Sequence, residues 1–232
     1  MADHQVADAP PGDPIGVPAR PSTESAARFV RVWATVAESA LALAVLSMLA
    51  VHVIGGLDPL TSTVSDYAWG PGAALLTVSV LAVAAACVAV PAALARAGLP
   101  APSAVVALFS VSGLGLLASV LFPTNALGTV AAAPAVLHRY AAGLFFVSLP
   151  LAALAVLRRV ARPEPLVRGL TVASIVAGLA FLLSHLPLIV PGFPGAEVIQ
   201  VLLPRGLAER GLLAVDLGLL AALAAATRRV TR

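Results

Sequence analysis

The sequence predicts an all-α protein, a six-helix transmembrane bundle whose N and C termini are both cytoplasmic. Of its 232 residues, 60% are hydrophobic and only 11% are charged, and the mean hydropathy is +1.00. A soluble domain carries roughly a quarter charged residues, so most of this chain must face lipid instead of water. The apolar residues also fall into six runs, each long enough as a helix to cross a bilayer core of ~30 Å.

The six runs follow a polar N-terminal segment. Residues 1–31 are rich in proline and contain no apolar stretch of signal-peptide length, so we expect a disordered cytoplasmic tail. The transmembrane domain then covers residues 32–226, and residues 227–232 form a short C-terminal cytoplasmic tail. The predicted crossings are residues 32–54, 72–95, 103–122, 139–157, 169–190 and 207–226. The loops between them are too short for a soluble domain, which predicts a single membrane domain.

The arginines predict the orientation. All 14 basic residues are arginine, and six crossings leave only Arg139, Arg205 and Arg210 on the side opposite the termini. Because short arginine-rich loops stay in the cytoplasm, the termini are predicted inside and the loops at 55–71, 123–138 and 191–206 outside. Three aromatic residues would then mark the outer interface: Tyr67, Trp69 and Tyr140.

Composition also bears on location and partners. Arginine without lysine, in a chain dominated by alanine, leucine and valine, is typical of GC-rich bacterial genomes, so we expect a multi-pass protein of the bacterial plasma membrane. The arginines sit at helix ends without interleaved aromatic residues, which argues against nucleic acid and for membrane lipid as the partner. The single cysteine, Cys87, excludes an internal disulfide and a multi-cysteine metal site.

Ionisable side chains inside the predicted bundle indicate where function resides. On insertion scales each costs about 2.5–3.5 kcal/mol in hydrocarbon, so each needs a partner or a role. Most of them gather toward the outer side: His52, Asp66, His138, Arg139, His185, Glu209, Arg210 and Asp216. Asp216 falls near mid-membrane in the sixth crossing. Glu38 stands apart, in the inner half of the first crossing.

Three interpretations of these residues are open. In the first, His52, His138, His185 and Asp66 hold a zinc ion in a metal-dependent intramembrane hydrolase. This requires tertiary convergence, because no two of them form a local HxxxH or HExxH pair.

In the second interpretation the histidines are partly hydrated, and Arg139, Glu209 and Arg210 form ion pairs that dock the fourth crossing on the sixth. In the third, Asp216 carries protons in a small transporter. The sequence does not decide whether the protein is an enzyme.

Four short segments carry a family resemblance. They are Ser62–Ala68, the turn Phe122–Asn125, His138–Arg139 and Gly206–Arg210. Together they resemble the bacterial membrane-protein family catalogued as domain of unknown function 998, over nearly all of residues 32–226. The resemblance implies a six-helix integral membrane fold and no established activity. Asn125 departs from the pattern, because an acidic residue is expected there.

The resemblance and the charge argument select the same outer residues, namely Asp66, His138, Arg139, Glu209 and Arg210. We therefore expect an outer surface that binds a lipid head group, a small polar ligand or a partner. In this hypothesis Arg139 and Arg210 contact the phosphate, because guanidinium groups match phosphate geometry.

Overall fold

The computed structural model describes residues 23–98, 103–126, 129, 132–190 and 192–230. Its long helices are α1 Thr23–Ile54, α2 Ala73–Arg96, α3 Ser103–Leu121, α4 Ala133–Leu157, α5 Pro165–Ile189 and α7 Arg205–Val230. A 3-10 helix, Val64–Trp69, lies between α1 and α2, and a short helix α6, Ala196–Leu202, precedes α7. All six long helices are apolar and long enough to cross a membrane, so the predicted all-α, six-span fold is confirmed.

Three helices begin at least four residues earlier than the apolar runs predicted. Helix α1 begins at Thr23 instead of residue 32, α4 at Ala133 instead of 139, and α5 at Pro165 instead of 169. Hydropathy marks the lipid-facing part of a helix and misses polar first turns, and α4 and α5 both carry proline in the first turn, where it suits a helix start. Of the predicted N-terminal tail, residues 23–31 are helical and 1–22 lie outside the described residues. Helix α7 likewise continues to Val230.

Small residues let the helices pack closely. Helix α2 lies between α1 and α3 and also contacts α7, which packs along α5. Alanine is the commonest residue on the buried face of α2, and Ala86, Ala89 and Ala93 are each fully buried. At Gly115 a Cβ atom would lie 2.6 Å from the carbonyl oxygen of Ala141, so glycine is required where α3 crosses α4.

The two ends of the bundle differ in chemistry. We call the end that holds the starts of α1, α3 and α5 and the ends of α2, α4 and α7 the tail face. There Arg228 of α7 contacts Glu38 of α1 at 2.7 Å, and Arg229 pairs with Glu164 beside the start of α5. Glu38 therefore has a charged partner. We call the opposite end, which holds the end of α1, the 3-10 helix and the start of α7, the loop face.

Candidate functional site at the loop face

The chain between α1 and α2 folds back onto the bundle. Helix α1 ends where Gly56 adopts a positive φ of 65°, a conformation that favours glycine. At Gly55 a Cβ atom would lie 2.3 Å from Cε1 of Tyr67, so only glycine admits that ring. The next turn is closed by Asp58, whose carboxylate accepts hydrogen bonds from the Thr61 hydroxyl at 2.6 Å and the Leu60 amide at 3.1 Å. These bonds lower the pKa of Asp58 below its ordinary value.

Arg210 lies at the centre of the loop face. Its guanidinium donates to five acceptors: Nε2 of His52 at 2.6 Å, the carbonyl oxygens of Ser62, Pro59 and Gly206 at 2.7, 2.8 and 2.9 Å, and the Tyr67 hydroxyl at 3.3 Å. These acceptors belong to α1, the following loop, the 3-10 helix and α7. One side chain therefore fastens the loop to two transmembrane helices. We call Arg210 and its five acceptors the Arg210 cluster.

The hydrogen bonds of His52 fix its ring as the neutral form. Its Nδ1 lies 2.7 Å from the carbonyl oxygen of Met48, a contact that requires a proton on Nδ1. Because Nε2 accepts from Arg210, that nitrogen carries the lone pair. The lone pair that a metal would need is thus engaged in the Arg210 cluster.

Two carboxylates hold the start of the 3-10 helix. Oε2 of Glu209, a residue only 8% exposed, accepts a hydrogen bond from the Val64 amide at 2.6 Å. Asp66 accepts one from the Thr63 amide at 2.7 Å. Carboxylates satisfy the free N–H groups of a helix start and suit its positive end. Asp66, Glu209 and Arg210 thus meet at the loop face, as parts of one loop attachment.

Gly206 allows the loop to approach the start of α7. A Cβ atom there would lie 2.3 Å from the carbonyl oxygen of Ser62 and 2.6 Å from that of Pro59. The adjacent Leu207 amide donates to the Leu60 carbonyl at 3.2 Å. A free N–H group at the start of the helix is thereby satisfied by the loop.

The structure places His138 and Arg139 on another part of the loop face. Nδ1 of His138 donates to the carbonyl oxygens of Ser119 and Phe122, both at 2.9 Å, and so caps the end of α3. Arg139 is exposed, and within the described residues it forms neither a hydrogen bond nor an ion pair. The ion pairs expected among Arg139, Glu209 and Arg210 are not formed, because Arg210 binds carbonyl groups and Glu209 an amide.

The aromatic residues at this end divide into two groups. Tyr140 is 73% exposed and Trp69 55% exposed, as expected for side chains at an interface with lipid. The Trp69 indole donates to the carbonyl oxygen of Thr124 at 2.9 Å, which joins the first loop to the turn after α3. Tyr67 is only 1% exposed, so its ring faces the protein interior and not lipid. It packs beneath Arg210 and beside His52.

His185 lies near the end of α5, in the part of that helix that belongs to the loop face. Its Nδ1 lies 3.0 Å from the carbonyl oxygen of Phe181, and its ring meets the Phe181 ring edge-on at 4.4 Å. Arg139, near the start of α4, and Arg205, the first residue of α7, belong to the same end of the bundle. Arg205 is half-buried at the start of α7. The sequence identified Arg205 only as an outer arginine. It lies beside the start of a crossing and on the same side as Arg139, and this position could have indicated it as a candidate site residue.

The four candidate metal ligands are not brought together. His52 binds the loop attachment, His138 caps α3 and His185 bonds to its own helix, while Asp66 caps the 3-10 helix. Across the described ranges, no three histidine, cysteine, aspartate or glutamate side chains are placed to hold a metal ion.

Asp216 is sealed inside the bundle. Its side chain is fully buried, and Oδ1 accepts a hydrogen bond from the Ser174 hydroxyl at 2.6 Å. Oδ2 has no hydrogen-bond partner among the described side chains and backbone groups. Leu212 and Leu220, one turn away on either side along α7, are also fully buried. The carboxyl group joins α7 to α5, with apolar packing above and below it.

The sequence matches a known protein family over most of its length. Residues 39–226 match the model of a family described as "Protein of unknown function (DUF998)". No curated protein and no solved structure matches the chain.

Proposed function

The chain belongs to the DUF998 family, whose function is unknown, and we propose that it is a multi-pass membrane protein that binds an anionic lipid head group through Arg139 and Arg205. The single observation that carries this proposal is that Arg139, which is exposed, and Arg205, which is half-buried, both belong to the loop face, near the starts of α4 and α7. In the described part of the chain, neither arginine is paired with a carboxylate. Cations at a membrane boundary are stabilised by anionic lipid, and a guanidinium matches phosphate with two parallel hydrogen bonds.

Apolar side chains beside the two arginines favour a lipid over a soluble anion. Tyr140, 73% exposed, follows Arg139 directly. Helix α6 ends just before Arg205 and exposes 76% each of Val201 and Leu202. A ligand with a charged head and an apolar body would satisfy both kinds of surface.

Arg210, the second phosphate partner expected from the sequence, is replaced in this proposal by Arg205. The guanidinium of Arg210 already donates to five acceptors within the protein. A phosphate would have to displace them, whereas Arg139 and Arg205 have no such bonds to lose in the described structure. We therefore assign Asp66, Glu209 and Arg210 to the attachment of the loop.

Neither alternative gains support from the contacts. A zinc hydrolase needs His52, His138, His185 and Asp66 on one ion, and these side chains bind separate parts of the loop face and α5. A transporter needs a polar route to Asp216, whose neighbours one turn away along α7 are buried leucines.

We further propose that the tail face is cytoplasmic and the loop face is outside, in a bacterial plasma membrane. Among the arginines that the structure describes, only Arg139, Arg205 and Arg210 belong to the loop face, and arginine-rich loops stay inside. Cells expressing Thr129→Cys in a Cys87→Ala background should react with a membrane-impermeant maleimide. Arg162→Cys in the same background should react only after permeabilisation. The reverse labelling pattern would place the lipid site in the inner leaflet.

Lipid binding can be measured with a tryptophan beside Arg139. Trp33 and Trp69 are the only two tryptophans, so Tyr140→Trp combined with Trp33→Phe and Trp69→Phe gives one reporter at the site. In nanodiscs, bromine-labelled phosphatidylglycerol should quench it at lower mole fractions than bromine-labelled phosphatidylcholine.

The arginine variants decide whether this preference comes from the proposed site. An arginine near a membrane surface contributes about 1 kcal/mol toward anionic lipid, so Arg139→Gln with Arg205→Gln should reduce the preference about 30-fold. The control, Arg162→Gln, removes one exposed charge from the tail face and should change nothing. An unchanged preference in the double variant would refute the proposal.

A further inference from the structure

A groove at the tail face, between the start of α1 and the end of α2, has the features of a second lipid site. Its volume is about 500 Å³, and its larger lining side chains are Arg28, Phe29, Val32, Trp33 and Arg96. We propose that this groove binds the head group of an acidic phospholipid from the leaflet on its own side. It lies at the opposite end of the bundle from Arg139 and Arg205 and does not depend on that site.

Aromatic rings position one of the two cations. Cζ of Arg96 lies 4.7 Å from the centroid of the Phe29 ring, within cation–π range. The Phe29 ring lies 5.8 Å from that of Trp33. Arg96 belongs to α2 and both rings to α1, so the packing of two transmembrane helices holds the guanidinium over the groove.

The charge of the lining favours an anion. Arg28 and Arg96 are both exposed, and in the described structure neither forms an ion pair with a carboxylate. The acidic residue nearest to Arg28 along α1 is Glu24, one turn before it, and Glu24 does not line the groove. Two guanidinium groups without a carboxylate between them match a phosphate group.

The apolar part of the lining indicates a lipid. Val32 is 54% exposed and Trp33 is half-buried, and tryptophan is a residue enriched at membrane interfaces. The groove is within the range of about 300–1,000 Å³ that is usual for small-molecule sites. Basic pockets between transmembrane helices are a recognised way to bind acidic lipid head groups.

Trp33 itself reports on the groove. In a Trp69→Phe variant it is the only tryptophan, and its quenching by bromine-labelled phosphatidylglycerol and phosphatidylcholine can be compared in nanodiscs. We expect quenching by phosphatidylglycerol at lower mole fractions. Arg28→Gln and Arg96→Gln should each reduce that preference about fivefold. Arg28→Lys should keep most of it, because the charge remains.

Matched variants separate this site from the loop-face site. Arg162→Gln removes a charge from the same face without lining the groove, and should leave Trp33 quenching unchanged. Arg139→Gln with Arg205→Gln should also leave it unchanged, whereas Arg28→Gln should not affect the Tyr140→Trp reporter. These variants can therefore refute either proposed site without refuting the other.

Three results would overturn the inference. The first is equal quenching of Trp33 by the two lipids. The second is an unchanged lipid preference when Arg28→Gln and Arg96→Gln are combined in a protein with normal helicity by circular dichroism. The third is loss of the preference on adding inorganic phosphate at matched ionic strength, which would indicate a site for soluble anions.

Discussion

Removing the side chain of Arg210 tests whether one residue holds the loop face together. Arg210→Ala deletes five donated hydrogen bonds, but exposed acceptors such as the Pro59 carbonyl can bond to water instead. Of the four part-buried bonds, the shortest are those to Nε2 of His52 at 2.6 Å and to the carbonyl oxygen of Ser62 at 2.7 Å. Because hydrogen bonds to a charged group contribute about 1.5–3 kcal/mol each, we expect a loss of about 3 kcal/mol in the free energy of unfolding.

Lysine at the same position provides a sharper comparison. A single ammonium group keeps the charge but cannot reach acceptors that a planar guanidinium bridges, so Arg210→Lys should lose about half as much as Arg210→Ala. Unfolding by sodium dodecyl sulfate in mixed micelles, followed by circular dichroism, measures both values. Hydrogen exchange of residues 55–72 should also accelerate in both variants.

The control for these measurements is Arg162→Gln, an exposed arginine at the tail face, for which we expect a change within about 0.5 kcal/mol. If Arg210→Ala is no less stable than this control, the Arg210 cluster does not hold the loop. If Arg210→Lys is as stable as the unchanged protein, the positive charge contributes to stability and the multiple hydrogen bonds of the guanidinium do not.

Glycine substitutions test two close approaches by the same titration. Gly206→Ala should cost about 1–3 kcal/mol, because its Cβ meets loop carbonyl oxygens; Gly211→Ala, with nothing within 4 Å, should be neutral or gain up to about 1 kcal/mol from helix propensity. Gly115→Ala should cost a similar 1–3 kcal/mol by separating α3 from α4, and Gly178→Ala, which also meets open space, should not. Equal effects within either pair would contradict the packing described.

The fold was predictable because the hydrocarbon of a lipid bilayer imposes a simple rule on the backbone. Backbone groups in hydrocarbon must be satisfied within their own segment, so long apolar runs become helices. The rule does not identify helix ends that leave the bilayer, which is why α1 begins nine residues before the predicted crossing at residue 32. It also says nothing about α6, which lies wholly in the predicted loop at 191–206.

The candidate site was only partly predictable. The cost of charge correctly indicated that Asp66, Glu209 and Arg210 need partners, and the structure brings these three together. Their partners are backbone amides and carbonyls of an irregular loop. The pattern of side chains in the sequence does not indicate which backbone groups will serve as partners. Gly206, one turn before Arg210, was the local signal of a close backbone approach, because a larger side chain would block it.

The internal bonds of each arginine argue that stability and lipid binding are separable in this protein. A phosphate at Arg210 would have to compensate for the bonds that hold the loop, about 3 kcal/mol by the estimate above. At Arg139 and Arg205 no such compensation is required within the described structure, so the proposed lipid site would not carry this cost. Variants of Arg210 should therefore lower the free energy of unfolding and leave the lipid preference unchanged. Variants of Arg139 and Arg205 should reduce the lipid preference and leave the free energy of unfolding unchanged. If a variant of Arg139 unfolded as easily as Arg210→Ala, Arg139 would also be needed for stability. Stability and lipid binding would then not be separable.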